Sequence, residues 1–368
     1  MIPLVDLKPQ TQQLKKRILH RFERIFANTE FINGRDVKEF ESAFAEYLGV
    51  KHVISAGNGT DALTIILKSL EVEKGASILL PVNTFIATAE AIVNAGYTPR
   101  FCDVCEGDHL MDLDTVAEQI TPDTKAIMPV HLYGQMVDME KVFALAKRHE
   151  LVVIEDAAQA HGARWNGDAP GRYSLAAGYS FYPGKNLGAF GDAGCIATNS
   201  DMIYERTKKL KDHGQESKYH HTMVGTNSRM DTLQAAVLLE KLVELDTYNS
   251  KRRDLARRYS MLLAEIEDVQ IPQENTGADH VFHLYVIKTA NRDKLLDFLK
   301  HRDIFCGIHY PVPLHLDRAF GYLSHDSGQF PVAEKLAQQI LSLPLYPEMS
   351  YAAQDKVVAA VRDFYHSQ

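Results

Sequence analysis

SFYPGKNLGAFGDAG, residues 180–194, is the stretch on which the reading of this chain turns. It joins two closely spaced β-rich runs, AAGYSFYP (176–183) and GCIATN (194–199), through a turn rich in Gly, Phe and Leu. Lys185 sits inside that turn, with Ser180 five positions before it. Lysines ordinarily keep their heads in water. One enclosed by small and apolar neighbours after a strand sheds its proton more readily and can attack a carbonyl. A surface lysine laying its stem along apolar neighbours fits the same letters. A Walker A loop does not, because no GxxxxGK[ST] precedes a helix.

Further out, KHVISAG (51–57), ASILLPV (76–82), AIMPVHL (126–132) and LVVIEDA (151–157) are apolar runs enriched in Val and Ile. Each closes at Gly, Pro or a polar cluster, and helical patterns separate them. That is the pattern of buried parallel strands with crossover helices. Residues 12–245 therefore predict a large α/β domain built on a mostly parallel sheet. A charged helix-forming stretch from Thr232 to about Ile266 leads to a smaller α/β domain over 246–368. There HVFHLYVIKT (280–289) and IFCGIHYPV (304–312) read as strands. Residues 1–11 are expected to pack with the smaller domain or with a partner subunit.

The 368 residues are 45% hydrophobic, enough for a sizeable core, and carry a formal charge of -8. That balance argues against a general nucleic-acid or membrane surface but leaves room for a local basic pocket. The opening MIPLVDLKPQ lacks a signal-peptide pattern, and no run approaches the roughly 20 apolar residues of a membrane span. A cytoplasmic enzyme is the expectation. Four cysteines make no disulfide framework. Cys102 and Cys105 form a CxxC, but no second pair follows and RFCDVC reads as a strand and its exit, so no metal or redox role is assigned.

Two further motifs fall at strand ends, where open α/β sheets gather ligands. GNGTDAL (57–63) follows a strand and opens a helix. Small residues, free amides and the helix dipole there suit a phosphate. Taken alone, a phosphate site, a dinucleotide site and a plain turn stay equally open. IEDAAQAHGA (154–163) places Asp156 at the end of a strand, as a solvated carboxylate or as the partner of a protonated heterocyclic nitrogen. A phosphate cradle, an acid and a reactive lysine, in that order, are the needs of pyridoxal 5'-phosphate (PLP). A nicotinamide enzyme would need an acid about 20 positions beyond its glycines. Glu71 and Glu73 come too early for that, and Glu90 too late.

At these residues the chain resembles the sugar aminotransferases of the DegT/DnrJ/EryC1/StrS family, within the aspartate-aminotransferase-like fold type I. The likeness runs over essentially the whole chain, from IPLVDLK through PVNTFIATAEAI, IEDAAQAHGA, SFYPGKNLGAFGDAG and GTNSRMDTLQAAVL to GIHYPVPLHL. The resemblance implies that Lys185 holds the cofactor as a Schiff base and later moves the proton, while Asp156 pairs with the ring nitrogen. It further implies that Gln159 bonds the ring's phenolic oxygen, Phe85 stacks on the ring, and Gly59, Thr60 and Ser180 hold the phosphate. Asn227 would reach the phosphate of a neighbouring subunit, making a homodimer the working unit. On their own letters, Phe85 would more often be core and Asn227 a turn residue.

SFYPGKNLGAFGDAG and GIHYPVPLHL look like the subgroup that aminates C3 of a nucleotide-linked 3-keto-6-deoxyhexose, with L-glutamate as donor. His309 and Tyr310, polar in an apolar segment, fit a sugar pocket or a satisfied place in the core equally well. Tyr182, Lys218, Tyr219 and His220 are further candidates for the sugar and its diphosphate. The adjacent pair His220 and His221 is not assigned a metal. Two departures from the family pattern stand out: Gln159 replaces a common His yet can bond the same oxygen, and FCDVC replaces an acid-rich strand end. Alternatives are amination at C4, a non-catalytic regulatory relative, and the nicotinamide enzyme; family dehydratases carry His where Lys185 stands.

Overall fold

The computed structural model describes residues 1–366. Its central sheet has seven strands: β1 (His52–Ala56), β2 (Ser77–Pro81), β3 (Thr98–Cys102), β4 (Thr124–Ile127), β5 (Val152–Asp156), β6 (Ala176–Ser180) and β7 (Gly194–Thr198). They lie in the order β1-β7-β6-β5-β4-β2-β3. Only β7 runs against the others, pairing antiparallel with both β1 and β6. The sheet follows from sequence: every residue of β2 and β7 is buried, so both faces need helices, and crossover helices supply them.

Helix α1 spans Lys8–Asn28 and α2 spans Arg35–Leu48; α3 (Gly59–Lys68) and α4 (Ile86–Asn94) follow β1 and β2. Asn58 caps α3, its side chain accepting from the Asp61 amide at 2.8 Å. Helix α3 lies so close to β6 that a Cβ on Gly178 would meet Leu63 Cδ2 at 2.6 Å. Under β6, Phe40, Phe44, Tyr179 and Phe181 are fully buried, with edge-to-face pairs at centroid distances of 5.3 to 5.6 Å. Each such pair adds about 0.5–1.5 kcal/mol beyond area burial.

The strand register decides where ligands can sit. Asp156 pairs with Gly178, Ser180 with Gly194, and Gly194 with Ala56. The ends of β1, β5 and β6 therefore share one edge of the sheet, and the chain after β1 turns there into α3.

The charged stretch after Thr232 is two helices, α5 (Thr232–Leu242) and α6 (Leu245–Leu263), with a break at Val243 and Glu244. Helix α6 carries Leu255, Tyr259 and Leu263 into a second core with Ile2, Tyr285, Leu299, Leu341 and Phe364. Residues 314–340 contribute Leu314, Phe320, Phe330 and Leu336 to the first core instead. Tyr285–Lys288 is a strand, but its partner is Ile340–Leu343 rather than residues 304–312. That segment forms only single bridges, Ile304 to Ile2 and Gly307 to Ser342. Pro311 and Pro313 lack the amide a ladder needs, and the chain bends so that His309 and Tyr310 face the sheet edge.

Candidate active site

A cleft of about 450 Å³ opens at the shared strand edge. It is lined by Gly59, Thr60, Phe85, Asp156, Gln159, Ser180, Tyr182, Lys185, His309 and Tyr310, among others. The structure thus brings together ten of the residues singled out in sequence.

Lys185 is presented by a turn pinned at both ends: Phe181 N donates to Ala193 O at 2.7 Å, and Ala189 N to Phe181 O at 2.8 Å. The next residue, Asn186, is buried and donates to Asn249 Oδ1 at 2.9 Å and Val281 O at 3.0 Å. Gly188 is required, since a Cβ there would lie 2.3 Å from Pro183 O. Enclosure pulls the Lys185 ammonium down to about 8, with Asp156 opposing the shift. As pH rises through about 8 the amine loses its proton and becomes a nucleophile. Capture of added pyridoxal phosphate by cofactor-free protein should therefore speed up roughly tenfold per pH unit below that point and level off above it. Stopped-flow absorbance checks this, and a rate still climbing towards pH 10 would contradict it.

Asp156 closes β5 and is almost fully buried. Thr88, in the first turn of α4, donates to its Oδ2 at 2.7 Å, and the Ala158 amide donates to Oδ1 at 3.0 Å. Burial raises its carboxyl while these two donors hold it back. A cationic partner in the cleft would complete the set.

At the β1–α3 turn, a Cβ on Gly59 would meet Ser180 Cβ at 2.6 Å, and one on Gly194 would meet the Asn58 carbonyl at 2.4 Å. Nothing larger than glycine fits, so backbone amides line the cradle at the positive end of α3. Ser228 fastens this turn from outside. Its hydroxyl accepts from Gly57 N at 2.9 Å and donates to Asp61 Oδ2 at 2.7 Å.

The orientation of Gln159 is set by Tyr133, whose amide donates to Gln159 Oε1 at 2.7 Å. Gln159 Nε2 is then the cleft-side atom; one N–H bonds Tyr310 Oη at 3.2 Å, leaving a second donor. The Tyr310 ring tilts against Phe85 at a centroid distance of 5.5 Å. Phe85 is 53% exposed, so it stands as a platform at the cleft wall and not in the core. His309 Nδ1 bonds Ser342 Oγ at 2.8 Å, and burial together with Lys185 pulls its imidazole down to about 4.

Lys218, Tyr219, His220 and Asn227 are not brought to this cleft. The first three stand on the turn and second strand of a small hairpin, Gln215–Ser217 with His220–His221, where Tyr219 is 80% exposed. Asn227 is exposed beside the buried Ser228. The hairpin is separate from the central sheet, and within one chain these side chains reach solvent. Sequence reasoning missed Thr88, Tyr133 and His283, which also lines the cleft. The His283 ring is held Nδ1–H towards Asn186 Oδ1 at 3.2 Å and is kept neutral mainly by burial. The double histidine of HVFHLYVIK was a visible signal for it.

A glycine-walled anion cradle, a buried carboxylate and an enclosed lysine around one cleft fit pyridoxal phosphate. Fold and site together define a fold type I PLP enzyme. The chain belongs to the DegT/DnrJ/EryC1/StrS aminotransferase family, whose model matches residues 12–362. It is 44% identical over 99% of its length, and 98% of the relative's, to a "pleiotropic regulatory protein" of Geobacillus stearothermophilus. It is 42% identical, over 94% of both chains, to the dTDP-3-amino-3,4,6-trideoxy-alpha-D-glucose transaminase of Micromonospora megalomicea. The crystal structure of S. venezuelae DesV in complex with a ketimine intermediate superposes with a TM-score of 0.96 at 38% identity, covering 99% of this chain and 98% of that one. The protein is a PLP-dependent sugar aminotransferase. No described helix is long and apolar enough to cross a membrane, and no described group of His, Cys, Asp and Glu is arranged to hold a metal.

Proposed function

We propose that this enzyme moves an amino group from L-glutamate to C3 of a dTDP-linked 3-keto-6-deoxyhexose. The product would be an amino sugar for a bacterial surface glycan or a secondary metabolite, made in the cytoplasm by a homodimer. The observation that carries the reading is that Lys185 and Asp156 meet in one cleft that His309 and Tyr310 also line. The Micromonospora relative, named for a 3-amino sugar, supports C3.

Bound in the cleft, pyridoxal phosphate supplies an aldehyde for Lys185 and a ring that accepts electrons when a carbon–hydrogen bond breaks. Gly59, Thr60 and Ser180 would bind the phosphate, Asp156 would accept a charge-assisted hydrogen bond from the protonated ring nitrogen, and Gln159 would donate to the phenolic oxygen. Phe85 would pack against the ring. Lys185 Nζ takes the proton from the donor's α-carbon and later delivers one to C3 of the sugar. His309, Tyr310 and Tyr182 bind the hexose. On the dimer reading, Asn227 and the hairpin bearing Lys218, Tyr219 and His220 serve the neighbouring cleft, which accounts for their exposure here. A regulatory reading draws on the name of the Geobacillus relative, but regulation alone gives no reason for an enclosed lysine beside a buried carboxylate.

Cofactor-loaded enzyme given L-glutamate and, separately, dTDP-linked 3-keto and 4-keto 6-deoxyhexoses should aminate the 3-keto sugar. Mass spectrometry and NMR of the product check this. Amination of the 4-keto sugar alone would overturn the assignment.

A further inference from the structure

Behind the cleft wall, Tyr133 holds a place that the reaction as described leaves unexplained. It is 4% exposed and belongs to the first core. Its backbone has φ 58° and ψ 3°, a left-handed conformation that residues other than glycine seldom adopt and that clusters at functional sites. Three bonds hold it there: Tyr133 O accepts from Leu284 N at 3.3 Å, Gly134 O accepts from Val281 N at 3.0 Å, and Tyr133 N donates to Gln159 Oε1 at 2.7 Å. The side chain points the other way along the wall, and its hydroxyl donates to the main-chain carbonyl of His309.

One residue thus grips both sides of the cleft. Its amide fixes Gln159, and its hydroxyl fixes the segment carrying His309 and Tyr310. That segment has no strand ladder, only the single bridges at Ile304 and Gly307. Close to His309 its other anchors are the side-chain bonds to Ser342 Oγ and from Gln159 Nε2 to Tyr310 Oη. We infer that Tyr133 is a positioning residue for the sugar: its hydroxyl sets His309 and Tyr310 at a fixed offset from Gln159, so that the sugar carbon meets the reacting lysine. This rests on the sugar-acceptor reading above. The amide would remain in any substitution, so only the hydroxyl's share is removed by Tyr133→Phe.

The test compares the two half-reactions in cofactor-loaded wild type and Tyr133→Phe. One is run with L-glutamate. The other is run in reverse with dTDP-3-amino-3,6-dideoxyglucose, and each is followed through the cofactor absorbance. Calorimetry of the same amino sugar with the pyridoxamine-phosphate form of the enzyme, which cannot react with an amine, supplies a binding constant independent of turnover. The expected result is a five- to tenfold weaker Kd and higher KM for the amino sugar, the scale of about one lost hydrogen bond, with the glutamate half-reaction within about twofold of wild type. Equal losses in both half-reactions, whether or not the melting temperature falls, would show a merely structural role and overturn the inference. So would an unchanged Kd and KM for the sugar. A wild type that binds glutamate but never reacts with the amino sugar would instead remove the sugar-acceptor reading, and the role of Tyr133 with it.

Discussion

Lys185→Ala should abolish amino transfer and remove the visible absorbance of lysine-bound cofactor. Alanine forms no imine and carries no proton. Loss of a positioned general base alone costs roughly 10²–10⁴ in rate, and loss of the covalent attachment adds to it. The fold should survive, because the turn bearing Lys185 is held by main-chain bonds at Phe181 and Ala189 and by Asn186, not by the lysine head. The check is turnover and an absorbance spectrum of the variant with added pyridoxal phosphate, beside circular dichroism. Turnover above about a tenth of wild type would remove Lys185 from the centre of the chemistry.

Asp156→Asn is expected to give a different defect. The amide keeps nearly the same shape, so the cofactor should remain bound near wild-type stoichiometry. What it lacks is the charge that keeps the ring nitrogen protonated. Removing one preorganised electrostatic partner from an enclosed site costs roughly 10²–10³ in rate. The loss should fall on removal of the donor's α-proton, so the α-deuterium isotope effect in the glutamate half-reaction should rise. The Asp156 surroundings supply a further discriminator. Thr88 Oγ and the Ala158 amide both donate to the carboxylate, and an Asn must turn its NH₂ away from one of them or leave a donor facing a donor. A modest fall in stability with an unchanged rate would mean that the pair to Asp156 is structural.

The sheet was legible in the chain because its strands are buried on both faces. Short apolar runs such as ASILLPV and LVVIEDA have few other fates, and six of the seven strands fall within the stretches read as parallel-sheet runs or as the pair flanking Lys185, or overlap them. β4 is the loosest of these, since Pro129 ends AIMPVHL early and the strand runs from Thr124 to Ile127. Residues 304–312 misled for a related reason. Their composition is that of a strand, but Pro311 within them and Pro313 just after interrupt the ladder, and only single bridges form. In the site, Gly59, Asp156, Ser180 and Lys185 were readable because each occupies a strand end or the turn after one. Tyr133 was not, because its contacts depend on approach across the fold. Tyr133 meets a side chain 26 positions away and a carbonyl 176 positions away, and no local pattern encodes that. The hairpin residues show the converse: their letters were visible, but within one chain the fold leaves Lys218, Tyr219 and His220 in solvent and outside the cleft.

The most direct measurement is chemical. Purified protein loaded with pyridoxal phosphate is reduced with borohydride, digested, and its peptides sequenced by mass spectrometry. The expected result is one stable phosphopyridoxyl adduct per chain, on the peptide containing Lys185. An adduct on another lysine, or none at all with Lys185 unmodified, would contradict the chemistry assigned to this cleft.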